Sequence, residues 1–224
     1  SYFDADNGYD PWSLDNNRTT YSDQPGKDTQ TIAAFIATGN WQLNDSHSVL
    51  ASMSYLDADL HQSFDADWVS DQFCERFGCS YGNDTTQEIF DRKRDRYVVD
   101  IRWLANEQGN PANRYLVGIY ANTGSENLDY QRPSIWYGDF ASNSDYETTR
   151  YAIYGEYEYA VSDQLSLVAG LRLERFEDDY SDSNAFSADN NENLFNAEIS
   201  ARYTLNDNTM MYATIASSQK PGGV

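Results

Sequence analysis

Carboxylates apart, the groups able to do chemistry in this sequence are few: two histidines, two cysteines, and 15 basic against 36 acidic side chains. His47 and His61 stand far apart, and neither lies at a spacing that would complete a zinc site with Cys74 and Cys79. No Gly-x-Ser-x-Gly elbow, phosphate-cradling glycine loop or His-Glu-x-x-His run occurs, so no catalytic residue, no metal ligand and no cofactor site is expected. His47 beside Ser46 falls at a tight turn, the wrong place for a lipid-hydrolysing Ser-His pair. The cysteines bracket Cys-Glu-Arg-Phe-Gly-Cys, which in an oxidising compartment reads as a local disulfide, Cys74 to Cys79, pinning a loop.

Carboxylates recur at Asp65, Asp67 and Asp71, and again at Asp178, Asp179, Asp182, Asp189 and Glu192, without the spacing of a calcium loop. A net charge of −21 argues against a nucleic-acid partner, since phosphate contacts need Lys and Arg. Such acidity either keeps a surface soluble or meets lipopolysaccharide through divalent ions.

The remaining charges sit on alternating runs. Leu165, Leu167, Ala169, Leu171 and Leu173 face away from Ser166, Gly170, Arg172 and Glu174. Tyr151, Ile153, Tyr157 and Tyr159 oppose Glu156 and Glu158, and Phe195, Ala197, Ile199, Ala201 and Tyr203 oppose Glu198 and Arg202. These are β-strands with one oily and one charged side. Glu156, Glu158, Arg172, Glu174, Glu198 and Arg202 suit a polar solute path. They equally suit a cross-strand charge ladder on a wet wall, each pair contributing roughly 0.2–1 kcal/mol. Trp68, Phe73, Trp136, Tyr137 and Phe140 serve either ligand stacking or packing of loops on one another.

Which solvent meets the oily side decides the fold class, and alternation alone does not separate a soluble sandwich from a membrane barrel. Residues 1–28 read as a polar, turn-rich loop, and about eight antiparallel strands fill 29–217. Several strands run to about 11–15 residues where soluble sheets average five or six. Short turns at 43–46, 106–113, 161–164 and 206–208 alternate with long loops at 61–94, 123–148 and 178–193. Trp41, Tyr55, Tyr97, Trp103, Tyr115, Tyr151, Tyr159 and Tyr203 fall near strand ends, where amphipathic rings suit a membrane interface. No window approaches the roughly 18–20 apolar residues of a spanning helix, which a barrel does not need. The expectation is all-β: one domain, residues 1–224, forming part of an antiparallel transmembrane β-barrel with its long loops outside the cell. The strand directions start and end the chain on the long-loop side. That predicts an internal piece of a larger barrel, with no signal peptide or N-terminal domain.

Three segments then carry a resemblance: Tyr151-Ala-Ile-Tyr-Gly-Glu156, Val161-Ser-Asp-Gln-Leu-Ser-Leu-Val-Ala-Gly-Leu-Arg-Leu-Glu174 and Met211-Tyr-Ala-Thr-Ile-Ala-Ser-Ser-Gln-Lys-Pro-Gly-Gly223. They resemble the mid-barrel of TonB-dependent receptors. In that family a strand ends in a Tyr-Ala-x-Tyr-Ser-Arg-Gly-Phe-Lys-Pro-Gly-Gly type segment. Tyr212, Ala213, Lys220, Pro221, Gly222 and Gly223 match it, Ala216, Ser217, Ser218 and Gln219 depart from it, and Gly170-Leu-Arg172 also matches. The resemblance implies a barrel of about 22 strands closed by an N-terminal plug. It implies residence in the outer membrane of a Gram-negative bacterium, among outer-membrane lipid and lipopolysaccharide. It further implies import of a scarce small-molecule solute, such as a ferric siderophore, cobalamin or a glycan, driven by a TonB-type energy-coupling protein that acts through the plug. On that reading the charged strand faces also suit plug contact. The alternative is a passive porin or a surface adhesin barrel, for which Arg92, Lys93, Arg94 and Arg96 would supply the basic wall of a constriction.

Overall fold

The computed structural model describes residues 1–8, 21–24, 26–78, 86–105, 113–134 and 138–223. Nine strands form one antiparallel sheet in sequence order, each strand paired with the next. They are β1 (Tyr2–Asp6), β2 (Lys27–Asn44), β3 (His47–Asp65), β4 (Gln87–Ala105), β5 (Asn113–Arg132), β6 (Phe140–Ala160), β7 (Leu165–Asp182), β8 (Ser187–Asn206) and β9 (Thr209–Ser217); one helix, α1 (Asp71–Phe77), lies between β3 and β4.

The pairing register aligns the oily side chains into rows. Gly39, Ala51, Ile101, Ile119, Ile153, Leu173 and Phe195 stand side by side across β2 to β8. The next row is Trp41, Val49, Trp103, Val117, Gly155, Leu171, Ala197 and Ser217. A one-residue slip anywhere would turn a whole strand inside out, so the pattern itself fixes the register. These residues are not a core: Ile119 and Ile153 are each 54% exposed and Ile199 is 65% exposed. The buried apolar side chains among the described residues are Ala58, Ala152, Val168, Phe176 and Leu194, and all of them lie on the opposite, polar face. A protein meeting water on its apolar face would bury that face. Here the faces are inverted.

Along the same outward face the chemistry changes abruptly. Tyr55 stacks on Tyr97 with centroids 4.5 Å apart. One row further out stand Asp57, Asp95, Ser125, Glu147, Asp179 and Asp189.

Several expectations shift. The segment 1–28, read as loop, contributes β1, which pairs Tyr2–Asp6 with β2, so the sheet has nine strands instead of about eight. Two of the three long loops are largely strand, while 61–94 keeps a long connection between β3 and β4 that holds α1. β5 runs to Arg132 and β6 starts at Phe140, which takes most of 123–148; β7 and β8 are joined by residues 183–186 alone. Strict alternation of long and short connections therefore fails. Asn, Asp and Ser-rich sequence reads as turn locally, but here the backbone bonds of neighbouring long strands hold it extended. Tyr55, Tyr97 and Tyr151 consequently lie mid-strand. In β2, where Ile32, Phe35 and Ile36 do not share one parity, pairing puts Phe35 beside Tyr55 on the apolar face and Ile36 beside Ser54 on the polar one.

Candidate functional site

The polar face carries the groups that can act on a solute. Its lower part is a network spanning β4 to β7. Tyr154 donates its hydroxyl to Asp100 Oδ2 at 2.8 Å, and Arg102 Nε donates to Asp100 Oδ1 at 2.6 Å and to the Tyr154 hydroxyl at 2.9 Å. Tyr154 belongs to β6 and reaches β4 across β5 because Gly118 stands between them. A Cβ built at Gly118 would meet the Tyr154 ring at 2.3 Å. The Arg172 guanidinium lies over Tyr120 at 5.0 Å and Tyr154 at 5.5 Å, and donates twice to Glu174 at 2.9 and 2.5 Å. Arg150, 3.8 Å from Glu174, covers the ring of Phe176, which is 2% exposed.

The upper part lies toward the β3–β4 and β5–β6 connections. Arg94 Nε donates to Glu126 at 2.5 Å, and Arg92 approaches the same carboxylate at 3.8 Å. Beyond them the rings of Phe64, Phe90 and Tyr130 run across three strands, with centroid separations of 6.0 and 4.9 Å. Trp68 extends this arc, stacked on Phe64 at 5.4 Å from a left-handed backbone with φ 61. A bulky residue there is under strain, and only its surroundings hold it in place.

At the foot of the outer connections Asp65, 1% exposed, accepts from Ser22 Oγ at 2.7 Å and from the backbone N–H groups of Asp23 and Asp67 at 3.2 and 3.3 Å. This ties residues 21–24 to the end of β3. Burial, then hydrogen bonding to Asp65, pushes the Asp67 carboxyl up to about 7. Burial, then the charges of Asp65 and Asp71, raises Asp23 as well. α1 follows, opened by Ser70, whose Oγ accepts from Phe73 N–H, and closed by Gly78 at φ 76. A cleft of about 620 Å³ separates α1 from residues 21–23 and is lined by Tyr21, Phe73, Arg76 and Phe77. Among the described residues, no cluster of three or more His, Cys, Asp or Glu is placed to hold a metal ion.

The sequence matches the family described as TonB dependent receptor-like, beta-barrel, over residues 1–224. The chain belongs to the TonB-dependent receptor β-barrel family. That family consists of receptors and transporters, and its members are outer-membrane β-barrels of Gram-negative bacteria that work in general with TonB and a small-molecule solute. No curated protein is matched by the sequence. The ferric yersiniabactin uptake receptor FyuA from Yersinia pestis superimposes with a TM-score of 0.73 at 14% identity, over 97% of this chain and 34% of that one. The open form of the ferric-catecholate import receptor Fiu from E. coli K12 gives 0.61 at 13% identity, over 95% of this chain and 40% of that one. The unliganded ferric citrate transporter FecA gives 0.65 at 13%, over 95% and 32%. At these identities the likeness is one of fold, and the chain spans well under half the length of each.

Within this receptor barrel the expected polar residues do share one face, in separate groups. Arg172 pairs with Glu174, Arg202 donates to Glu158 at 3.2 Å, and Glu156 and Glu198 flank Gly170 from either side. In the family motif Tyr212 is exposed on β9, and Gly222 N–H donates to Glu192 at 3.1 Å. Lys220, Pro221 and Gly223 follow β9 outside helix and strand. The departing residue Gln219 does the joining instead: its side chain accepts from Phe195 N–H, and its own N–H donates to Asn196 Oδ1, each at 2.7 Å. Cys74 sits in α1 and is disulfide-bonded; Cys79, Trp136 and Tyr137 lie outside the described residues. Sequence reasoning missed Asp100, Arg102, Tyr120, Tyr154 and Glu126. Their shared even parity with Arg172 was the available signal.

Proposed function

We propose that this chain forms part of the wall of an outer-membrane receptor that imports a scarce solute, of the ferric siderophore, cobalamin or glycan class, with energy delivered by a TonB-type protein through a plug domain. The observation that carries the reading is the inversion of faces: exposed aliphatic and aromatic rows on one side of the sheet, arginines, carboxylates and tyrosines on the other. In lipid the first face needs no cover, and the second lines a wet lumen. Glu156, Glu158, Arg172, Glu174, Glu198 and Arg202 then face the lumen, where plug and solute pass. The β3–β4 and β5–β6 connections open to the cell exterior, where a Cys74–Cys79 disulfide would pin α1. The acidic rows above the aromatic belt meet lipopolysaccharide through divalent ions. Such a chain binds and passes solute without catalysing a reaction. The uptake, import and transport of iron-bound solutes named for FyuA, Fiu and FecA support the choice of active import.

The test is uptake by iron-starved cells expressing the full receptor, with and without a working energy-coupling protein. Saturable uptake that disappears with the coupling protein is expected. Unsaturable entry proportional to solute concentration, indifferent to that protein, would replace the importer with a passive pore.

A further inference from the structure

Resting on the reading that the polar face lines the lumen, the geometry points to the kind of solute: we infer that the outer half of β3, β4 and β5 receives an anionic solute carrying planar rings. Arg92, Arg94 and Arg96 occupy alternate positions of β4, so their side chains leave the same face about 7 Å apart. Their register partners on β3 are Leu60, Ala58 and Leu56, and on β5 Leu128, Glu126 and Gly124. Three guanidinium groups therefore share one neighbouring carboxylate. Glu126 is held by Arg94 at 2.5 Å and approached by Arg92 at 3.8 Å. Arg92 Nε is buried without a hydrogen-bond partner among the described residues. Arg96 makes no ion pair among them. The nearest further carboxylate on the Arg96 row, Asp178, stands three strands away on β7 and accepts from the Tyr146 hydroxyl at 3.1 Å.

The Arg92 side chain as a whole is 35% accessible, so its outer guanidinium donors, with those of Arg96, are left for an incoming carboxylate, phosphate or phenolate oxygen to fill. The planar fork of arginine matches such oxygens in pairs, whereas a neutral solute leaves the donors unmet. Directly outward on the same face the Phe64, Phe90 and Tyr130 rings offer stacking surface for planar groups. A sugar or a cation would find the arginines unhelpful or repulsive.

The test uses the full receptor in detergent, titrated by tryptophan fluorescence with two probes. One is the anionic iron(III) complex of 2,3-dihydroxybenzoate, the other a neutral iron(III) trihydroxamate. The anionic probe is expected to bind at least about tenfold more tightly, the equivalent of about 1.4 kcal/mol, and to weaken as salt rises. Arg92→Gln and Arg96→Gln should each weaken the anionic titration several-fold while leaving the neutral one unchanged, and Arg96→Lys should retain part of the affinity. Equal binding of both probes, binding of neither, or Gln variants that keep their β-sheet circular dichroism and bind as before would each overturn the inference. If only the neutral probe binds and its uptake needs the coupling protein, the inference falls and the importer stands. If the anionic probe binds as expected but enters cells without that protein, the importer falls and the inference stands.

Discussion

Glu174 is the carboxylate on which the lower polar face depends. It is 9% exposed, takes two bonds from Arg172 and neutralises Arg150 from 3.8 Å. Glu174→Ala leaves two guanidinium groups facing each other, and should destabilise the folded barrel by about 1–3 kcal/mol, as a lost charged hydrogen bond does. Arg202→Gln, which breaks the more exposed pair with Glu158, should cost under about 1 kcal/mol. Urea midpoints in lipid vesicles compare the two directly, and equal losses would mean the buried pair is no stronger than the open one. A second residue-scale prediction concerns pH. The Asp67 carboxyl is raised to about 7, above its unfolded value of about 3.9. A raised group contributes stability below its unfolded pKa, and that contribution is lost as pH climbs through about 7. Asp23, raised beside Asp65 and Asp71, acts in the same sense. The hold of Asp65 on residues 21–24 should therefore loosen between about pH 4 and pH 7. The amide of Asp23, corrected for intrinsic exchange, should be less protected from deuterium at pH 8 than at pH 5, and Asp67→Asn should flatten the difference.

At the scale of elements, Gly118 shows how a missing side chain on one strand lets its neighbours communicate. Tyr154 crosses β5 over it to reach Asp100 and Arg102. Gly118→Ala puts a methyl group 2.3 Å from the ring, so the tyrosine must leave, at about 1–3 kcal/mol for the overpacking. Tyr154→Phe should cost less, about 1 kcal/mol for the hydroxyl alone; chemical melts of the two variants rank them, and the reverse order would refute the packing account. The crossing itself is not readable from sequence, because Gly118 and Tyr154 are far apart in the chain, although parity sets Tyr154 on the charged side of its strand, opposite Tyr151 and Ile153. What was readable followed parity. Leu165 to Glu177 alternates cleanly and lies in β7, with Leu171 and Leu173 outward and Arg172 and Glu174 together inward. Parity failed where composition overrode it. Thr123 to Arg132 holds few oily residues and reads as loop, yet β5 continues through it, because β4 and β6 supply its backbone bonds on both sides. The same composition bias hid the Phe90 and Tyr130 arc and β1.

For the molecule as a whole, the outward face carries its own ruler. On β5 alone, Val117, Ile119 and Ala121 stand in the apolar rows, Thr123 beside the Tyr55–Tyr97 stack, and Ser125, Asn127 and Asp129 among carboxylates. Strands of up to 21 residues are about twice what a tilted span requires, so the excess must stand outside the hydrocarbon, and the switch from rings to carboxylates says where. Arginine placed at two heights on this one strand then measures two solvents. Ile119→Arg at mid-belt should cost about 2–4 kcal/mol of folding free energy in lipid vesicles, the penalty of a charge at the bilayer midplane. Asn127→Arg, eight positions further along the same face, should be close to neutral, since its register neighbours are Asp145 on one side and Lys93 on the other. In detergent above its critical concentration the gap should narrow, as water reaches both heights. Equal tolerance of arginine at Ile119 and Asn127 in vesicles would mean that the apolar rows do not face lipid, and the inverted faces would need a protein partner to cover them.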